Sequence, residues 1–426
     1  MSVLAWERPL KPVQTIMFSR SVVLVLATVG LVSTASAQCL CYSIRTIPGP
    51  NCPFVGSTSF AFGMNGDGEL CGGYTPCSKG LNGASVWLRH GNWITLPTPA
   101  GLTWYSLNDL NSARQVAGTA SPTSTSGGFR AARYDLASST FIELVGPPKY
   151  GNSEASAINE SGWVCGYTST PKLQAFLWKD SQLNLLDMPL GPYSVANDIS
   201  DSGSICGWMG EAPLTSHAFL WHEGVVTDLG VIAGGQSAQA RGISKNGRYV
   251  CGGGVLPMGE GGPLTIHAFL WSEGTMTDLG TLPSQPRSLA YAVNDSGIVV
   301  GASYNEDLVG HAFVGRNGVM YRLSDLVYPP QPTLTIRQAT AINNAGQIAG
   351  QAGIPGGNAA IRLTPIPPTS GDCNCDQRVN VNDLLNVIYA WNTPGTPNAQ
   401  GGSADLNQDK TVNVDDLWIV LNNWSM

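Results

Sequence analysis

A turn element that recurs seven times along the chain constrains the fold more than any other feature. It reads Met64-Asn-Gly-Asp-Gly-Glu-Leu-Cys-Gly72, Leu110-Asn-Ser-Ala-Arg-Gln-Val-Ala-Gly118 and Ile158-Asn-Glu-Ser-Gly-Trp-Val-Cys-Gly166. Shorter matches are Ile199-Ser-Asp-Ser-Gly203, Ile243-Ser-Lys-Asn-Gly247, Val293-Asn-Asp-Ser-Gly297 and Ile342-Asn-Asn-Ala-Gly346. The Asn or Ser falls at positions 65, 111, 159, 200, 244, 294 and 343, in steps of 46, 48, 41, 44, 50 and 49. Asn, Asp and Gly tolerate the positive φ of tight hairpin turns, which accounts for their recurrence. A second hairpin follows each copy, clearest as His217-Ala-Phe-Leu-Trp-His-Glu-Gly-Val-Val-Thr-Asp-Leu-Gly230 and His267-Ala-Phe-Leu-Trp-Ser-Glu-Gly-Thr-Met-Thr-Asp-Leu-Gly280. Each repeat therefore holds four short strands, a to d.

Seven four-stranded units at this period predict an all-β fold, a seven-bladed β-propeller. The chain enters the repeat out of phase. Tyr42-Ser-Ile-Arg-Thr-Ile47 resembles a d strand with no c strand before it, and Ala359-Ala-Ile-Arg362 a c strand with no d strand after it. Pairing these two ends completes the seventh blade and closes the ring, which a linear stack of repeats would not need. Composition agrees: 51 Gly in 426 residues and only 12% charged residues suit many short strands joined by turns. The formal charge of −7 argues against nucleic-acid binding, which needs clustered positive charge.

The domains expected are a signal-peptide region over 1–37, the propeller over 38–364, a linker over 365–371 and a small domain over 372–426. Arg20 precedes the apolar run 21–32, which ends in Ala35-Ser-Ala37, a small-x-small cleavage signal. Met17 is an alternative start to Met1. The run is too short to span a bilayer, so the mature chain is expected to be exported without a membrane span. In an oxidising compartment one or two bridges are expected among Cys39, Cys41, Cys52, Cys71 and Cys77, with connectivity open. Cys165, Cys206 and Cys251, like Cys71, precede a Gly in the repeat and read as buried small hydrophobes.

The combination Ala-x-x-Ile-Asn-x-x-Gly with His-Ala-Phe-Leu-Trp and Thr-Asp-Leu-Gly resembles the HAF-type bacterial extracellular repeat family, over about residues 42–363. The resemblance implies an exported repeat protein without an established reaction.

The tail is acidic and tandem. Residues 372–426 hold seven Asp, no Glu and two basic groups, Arg378 and Lys410. Loop one is Asp372-Cys-Asn374-Cys-Asp376-Gln-Arg378-Val-Asn380-Val-Asn-Asp383, and loop two is Asp405-Leu-Asn407-Gln-Asp409-Lys-Thr411-Val-Asn413-Val-Asp-Asp416. Oxygen side chains at positions 1, 3, 5, 9 and 12 suit a hard cation, with the carbonyls of Arg378 and Thr411 at position 7. Two calcium ions are expected. Apolar residues then follow at helical spacing, Leu384, Ile388 and Trp391, then Leu417, Leu421 and Trp424, and the two stripes are expected to bury against each other. Asp at position 12, no Gly at position 6, one helix per loop and the duplication resemble a type I dockerin. That resemblance implies folding on calcium and attachment to a cohesin-like module or cell-surface scaffold. The family's recognition positions fall on Val381, Asn382, Val414 and Asp415.

His217, His267 and His311 share one repeat position. The hairpin register sets His217 diagonal to Asp228 and His267 to Asp278, which reads as a buried pair tying strands c and d rather than a shared metal. The variable b–c and d–a connections share one face, the expected ligand face. Tyr74, Tyr167, Trp208 and Tyr304 fall just after strand b on that side and offer faces for a glycan or protein ligand, with Trp104, Tyr105, Tyr150 and Tyr193 nearby. No catalytic residue is assigned. The carboxylates Glu143, Glu154, Glu211, Glu260 and Glu306 are scattered, and no nucleophile elbow, zinc motif or phosphate loop occurs. A non-catalytic binding propeller is the reading favoured over a carbohydrate-active enzyme or a structural surface-layer component.

Overall fold

The computed structural model describes residues 41–47, 58–75, 83–88, 91–123, 128–145, 151–169, 171–212, 215–257, 264–355, 357–367, 369–373, 378–391, 404–407 and 411–424. The expected signal region 1–37, with Cys39, Cys52 and Cys77, lies outside them. Seven four-stranded antiparallel sheets make up a seven-bladed propeller. Blades 1 to 6 span 58–95, 102–145, 153–185, 193–230, 237–280 and 287–322, each with its strands in chain order. Blade 7 takes strands a to c from Thr335–Ile342, Ile348–Ile354 and Gly357–Pro365, and strand d from Tyr42–Ile47 at the other end of the chain. The closing pair runs in register from Tyr42 opposite Pro365 to Ile47 opposite Ala360. Arg45 and Arg362 of this blade both stack on Trp87 of blade 1, at 5.0 and 4.6 Å from its ring centre.

The apolar core lies between blades. Each hydrophobic cluster draws on two neighbouring blades, such as Ala117, Ala131 and Leu144 with Ile158, Val164 and Phe176. The Phe of the His-Ala-Phe motif fills these interfaces, and Phe176, Phe219, Phe269 and Phe313 are fully buried. Each stands directly opposite a strand-b glycine: Gly166, Gly207, Gly252 or Gly301.

Those glycines correct part of the composition argument, which placed the Gly surplus in turns. Gly72, Gly118, Gly166, Gly207, Gly252, Gly301 and Gly350 sit within strand b. A Cβ on any of them would lie closer than 3.0 Å to a strand-a carbonyl oxygen. The cause is a β-bulge in strand a of every blade, which pushes that carbonyl towards strand b.

The repeat Asn also has a different role from the one its turn propensity suggested. Positive φ falls on the turn's Gly instead, at 73° to 84° in Gly68, Gly162, Gly203, Gly247, Gly297 and Gly346. Blade 2 has Arg114 there, at φ 58°. Arg114 reaches back to the buried Glu69 of blade 1 with Nη2 at 2.8 Å and Nε at 3.1 Å. The Asn side chain instead joins blades. In Asn159, Oδ1 accepts from Ser161 N and Trp163 N of its own turn, while Nδ2 donates to Ser200 O of blade 4 at 3.1 Å. Asn65, Asn111, Asn294 and Asn343 donate to the next blade in the same way, Asn343 closing back onto Asn65 O. Ser200 and Ser244 have no such donor arm. Between blades 4 and 5 the main chain substitutes, with Asp201 N donating to Lys245 O at 2.9 Å.

Candidate functional site

The strand-a bulges bring one extra residue per blade to the propeller's central lumen: Phe62, Asn108, Ser156, Asn197, Arg241, Tyr291 and Thr340. Below this ring, towards the a–b turns, lie Asp109, Asp198 and Lys245. The cavity they line measures about 270 Å³.

Asp109 and Asp198 occupy equivalent positions and act as clamps between blades. Asp109 accepts from Leu110 N at 2.8 Å and from Ile158 N of blade 3 at 3.0 Å. Asp198 accepts from Ile199 N and from Ile243 N of blade 5, both at 2.8 Å. Burial pushes both carboxyls up, Asp198 to about 7, against the opposing pull of Lys245. Burial disfavours the Lys245 ammonium, but the carboxylates of Asp109, Asp198, Asp201 and Glu160 outweigh it and raise its pKa.

A carboxyl whose folded pKa lies above its unfolded value of 3.8 stabilises the fold fully at low pH, and that contribution is lost as pH rises through about 7. Asp198→Asn removes the titration. Its melting temperature relative to the parent should therefore climb between pH 4 and pH 8. A constant difference across that range would refute the burial of this charge.

The buried thiols Cys71, Cys165, Cys206 and Cys251 flank this layer, free and pushed up by burial and by the lumen carboxylates. Thiols held protonated are poor nucleophiles, in keeping with a packing role. Cys41 is disulfide-bonded.

A second cleft of about 300 Å³ opens between blades 1 and 2, lined by Phe60, Phe62, Tyr74, Trp104 and Tyr105. Phe62 lines both spaces. Tyr105 is 61% exposed and Phe62 45%. Of the four aromatic residues selected on strand b, only Tyr74 reaches this cleft. Tyr167 stands opposite Glu154 in register, Trp208 is buried, and Tyr304 joins its hydroxyl to that of Tyr291 at 2.7 Å. Tyr150 lies outside the described residues, and Tyr193 is exposed at the start of strand a of blade 4.

The two His–Asp pairs form with the expected diagonal register. His217 Nδ1 lies 2.9 Å from Asp228 Oδ2, and His267 Nδ1 2.9 Å from Asp278 Oδ2. They are partly exposed rather than buried, because strand d is the outer edge of its blade. His311 has Arg322 in the register position of that Asp, with Asp325 also acting on it. Burial and then Arg322 lower its pKa. Among the described residues no three His, Cys, Asp or Glu side chains form a metal-binding group.

The tail forms two matching loop–helix units, with α1 at Val381–Tyr389 and α2 at Val414–Asn422. Each loop folds back on its position-12 Asp. Asp383 accepts from Cys373 N and Asn380 N, both at 2.9 Å. Asp416 accepts from Leu406 N, Asn407 N and Asn413 N. Asn380 and Asn413 cap the helices, accepting from Asn382 N and Asp415 N at 2.8 Å. Asp372, Asp383, Asp405 and Asp416 are buried, where a carboxylate is hydrogen-bonded, ion-paired or bound to a metal. An all-oxygen donor set on a folded-back loop fits calcium. Asn374, Asp376 and Asp409 lie outside the described residues. Within the loops, Arg378 and Thr411 stand two residues before the caps Asn380 and Asn413.

The helix stripes differ from expectation. Val387 and Val420 are buried, while Ile388, Trp391, Leu421 and Trp424 are exposed. The position-12 Asp must face inward to close the loop, so the inward stripe starts there and continues four residues on, at Val387 and Val420. Val379 and Val412, at position 8, are buried. Val381, Asn382, Val414 and Asp415 open the helices and are all exposed.

Residues 370–423 match the dockerin type I domain family. No curated protein matches the chain. The β-propeller domain of the Trilobed protease from Pyrococcus furiosus, described as having an open velcro topology, aligns at TM-score 0.51 and 8% identity, over 72% of this chain and 97% of that one. An oligogalacturonate lyase from Vibrio parahaemolyticus aligns at TM-score 0.49 and 10% identity, over 78% of this chain and 98% of that one. At such identities the likeness is one of fold alone. The chain is a seven-bladed β-propeller followed, at residues 370–423, by a type I dockerin domain.

Proposed function

We propose that this protein is exported and displayed outside the cell, its dockerin domain docking to a cohesin-like module or cell-surface scaffold while the propeller binds a ligand without transforming it. The N-terminal segment 1–37 serves as the signal peptide, and the repeat belongs with the HAF-type extracellular repeats it resembles. Two calcium ions organise the tail, one held by Asp372, Asn374, Asp376, Asn380, Asp383 and the Arg378 carbonyl. The other is held by Asp405, Asn407, Asp409, Asn413, Asp416 and the Thr411 carbonyl. Val381, Asn382, Val414 and Asp415 face the docking partner, and their exposure at the helix starts supports this.

For binding rather than catalysis, the observation that carries the reading is the engagement of Asp109 and Asp198. All four of their carboxylate oxygens accept main-chain N–H groups, half of them across a blade interface. They hold the ring together instead of standing ready as an acid–base pair. A glycan array run beside a polysaccharide-hydrolysis screen on the full chain in calcium tests this. Binding without product is expected; product formation would make the propeller a carbohydrate-active enzyme, and neither result would favour a structural surface-layer role.

A further inference from the structure

The lumen separates into two layers of different chemistry. In the turn layer, Lys245 lies among the carboxylates of Asp109, Asp198, Asp201 and Glu160. In the bulge layer the one charged residue is Arg241, an exposed residue that makes no ion pair among the described residues. Its neighbour is the ring of Tyr291, 5.8 Å from the guanidinium carbon. The Tyr291 and Tyr304 hydroxyls share one hydrogen bond at 2.7 Å, and Gln338 Nε2 donates to both, at 3.2 and 2.9 Å. Two hydroxyl protons serve one Tyr–Tyr bond, so the second is left for an outside acceptor. A guanidinium without an ion-pair partner among the described residues suits a carboxylate.

Across the same ring, Asn108 and Asn197 each commit Nδ2 to a carbonyl of the next blade, Ala155 O and Ala240 O, both at 2.7 Å. Their amide oxygens receive no hydrogen bond from the described residues, and an amide oxygen on offer accepts from a hydroxyl. Phe62 adds an exposed ring face where the lumen meets the aromatic cleft. Donors for an anion, acceptors for hydroxyls and an apolar face thus converge in adjoining spaces of about 270 and 300 Å³.

Building on the binding reading above, we propose that the lumen takes an acidic saccharide, with Arg241 holding its carboxylate, Asn108 and Asn197 accepting from its hydroxyls, and Phe62 lying against a sugar ring. The acids of the turn layer repel the carboxylate and fix the ligand's polarity, keeping its anionic group at the Arg241 level.

Calorimetric titration of the full chain in calcium with an oligouronate and with its methyl-esterified counterpart tests this. The free acid should bind about 10- to 100-fold tighter than the ester, the range of a charge-assisted hydrogen-bonded pair. Arg241→Gln should lose that discrimination at an unchanged melting temperature, and Phe62→Ala should weaken both ligands alike. Equal affinity for acid and ester, failure of both to bind, or discrimination that survives Arg241→Gln would each overturn the proposal. Binding of some other ligand class would sink this inference but leave the binding propeller standing. Uronate consumed during the titration would instead overturn the non-catalytic reading.

Discussion

Adding EDTA to the full chain is expected to unfold residues 370–423 while the propeller stays folded. Each helix of the tail has only nine residues, too short to persist alone in water. Each is anchored by a buried Asp at its third position, and a second buried Asp opens the loop. Without a cation, these carboxylates repel each other in a poorly hydrated space, so the binding energy of the ion is largely the folding energy of the unit. Circular dichroism should lose its helical component on chelation and regain it when calcium is added. Unchanged helicity in EDTA would sink the metal assignment. Asp383→Ala should disable the first unit alone, so the midpoint of calcium-driven folding should move to higher calcium.

Gly207→Ala is expected to destabilise the propeller by about 3 kcal/mol, the upper part of the range for overpacking a tight interior. The added methyl would meet the carbonyl of Val195, a backbone atom fixed by the bulge, and the ring of Phe219 as well. Neither can move without disturbing an interface with a neighbouring blade. Gly224→Ala is the informative comparison. Gly224 has φ 85° in a c–d turn, but nothing lies within 4 Å of its virtual Cβ. Only the backbone penalty remains, on the order of 1 kcal/mol. Thermal or denaturant unfolding of both variants separates crowding from conformational preference. If Gly207→Ala costs no more than Gly224→Ala, the close approach of strand a is not what demands glycine.

The blade count and the closure were legible because a period near 46 residues survives in the turn and Phe motifs, and because Tyr42–Ile47 and the strand after Gly357 each lack a partner within their own repeat. The register of the His–Asp pairs followed from the Glu-Gly turn. The tandem loop–helix units of the tail were legible for the same local reason, since each repeats within about twenty residues. Why Asn recurs was not legible: its side chain bonds a carbonyl 41 to 49 residues away, on the next blade. Propensity for turns explained its presence without that contact.

By itself, then, the sequence determined the repeat, the ring closure and the tandem loop–helix tail, all of which rest on local spacing. The tertiary structure alone decided what stands in the lumen. Asn108, Asn197, Arg241 and Tyr291 come from four blades, and the seven equivalent positions hold six residue types, so no periodic pattern marks them. They become neighbours because one bulge in every blade brings a residue to a shared axis, and seven blades must close before that axis exists.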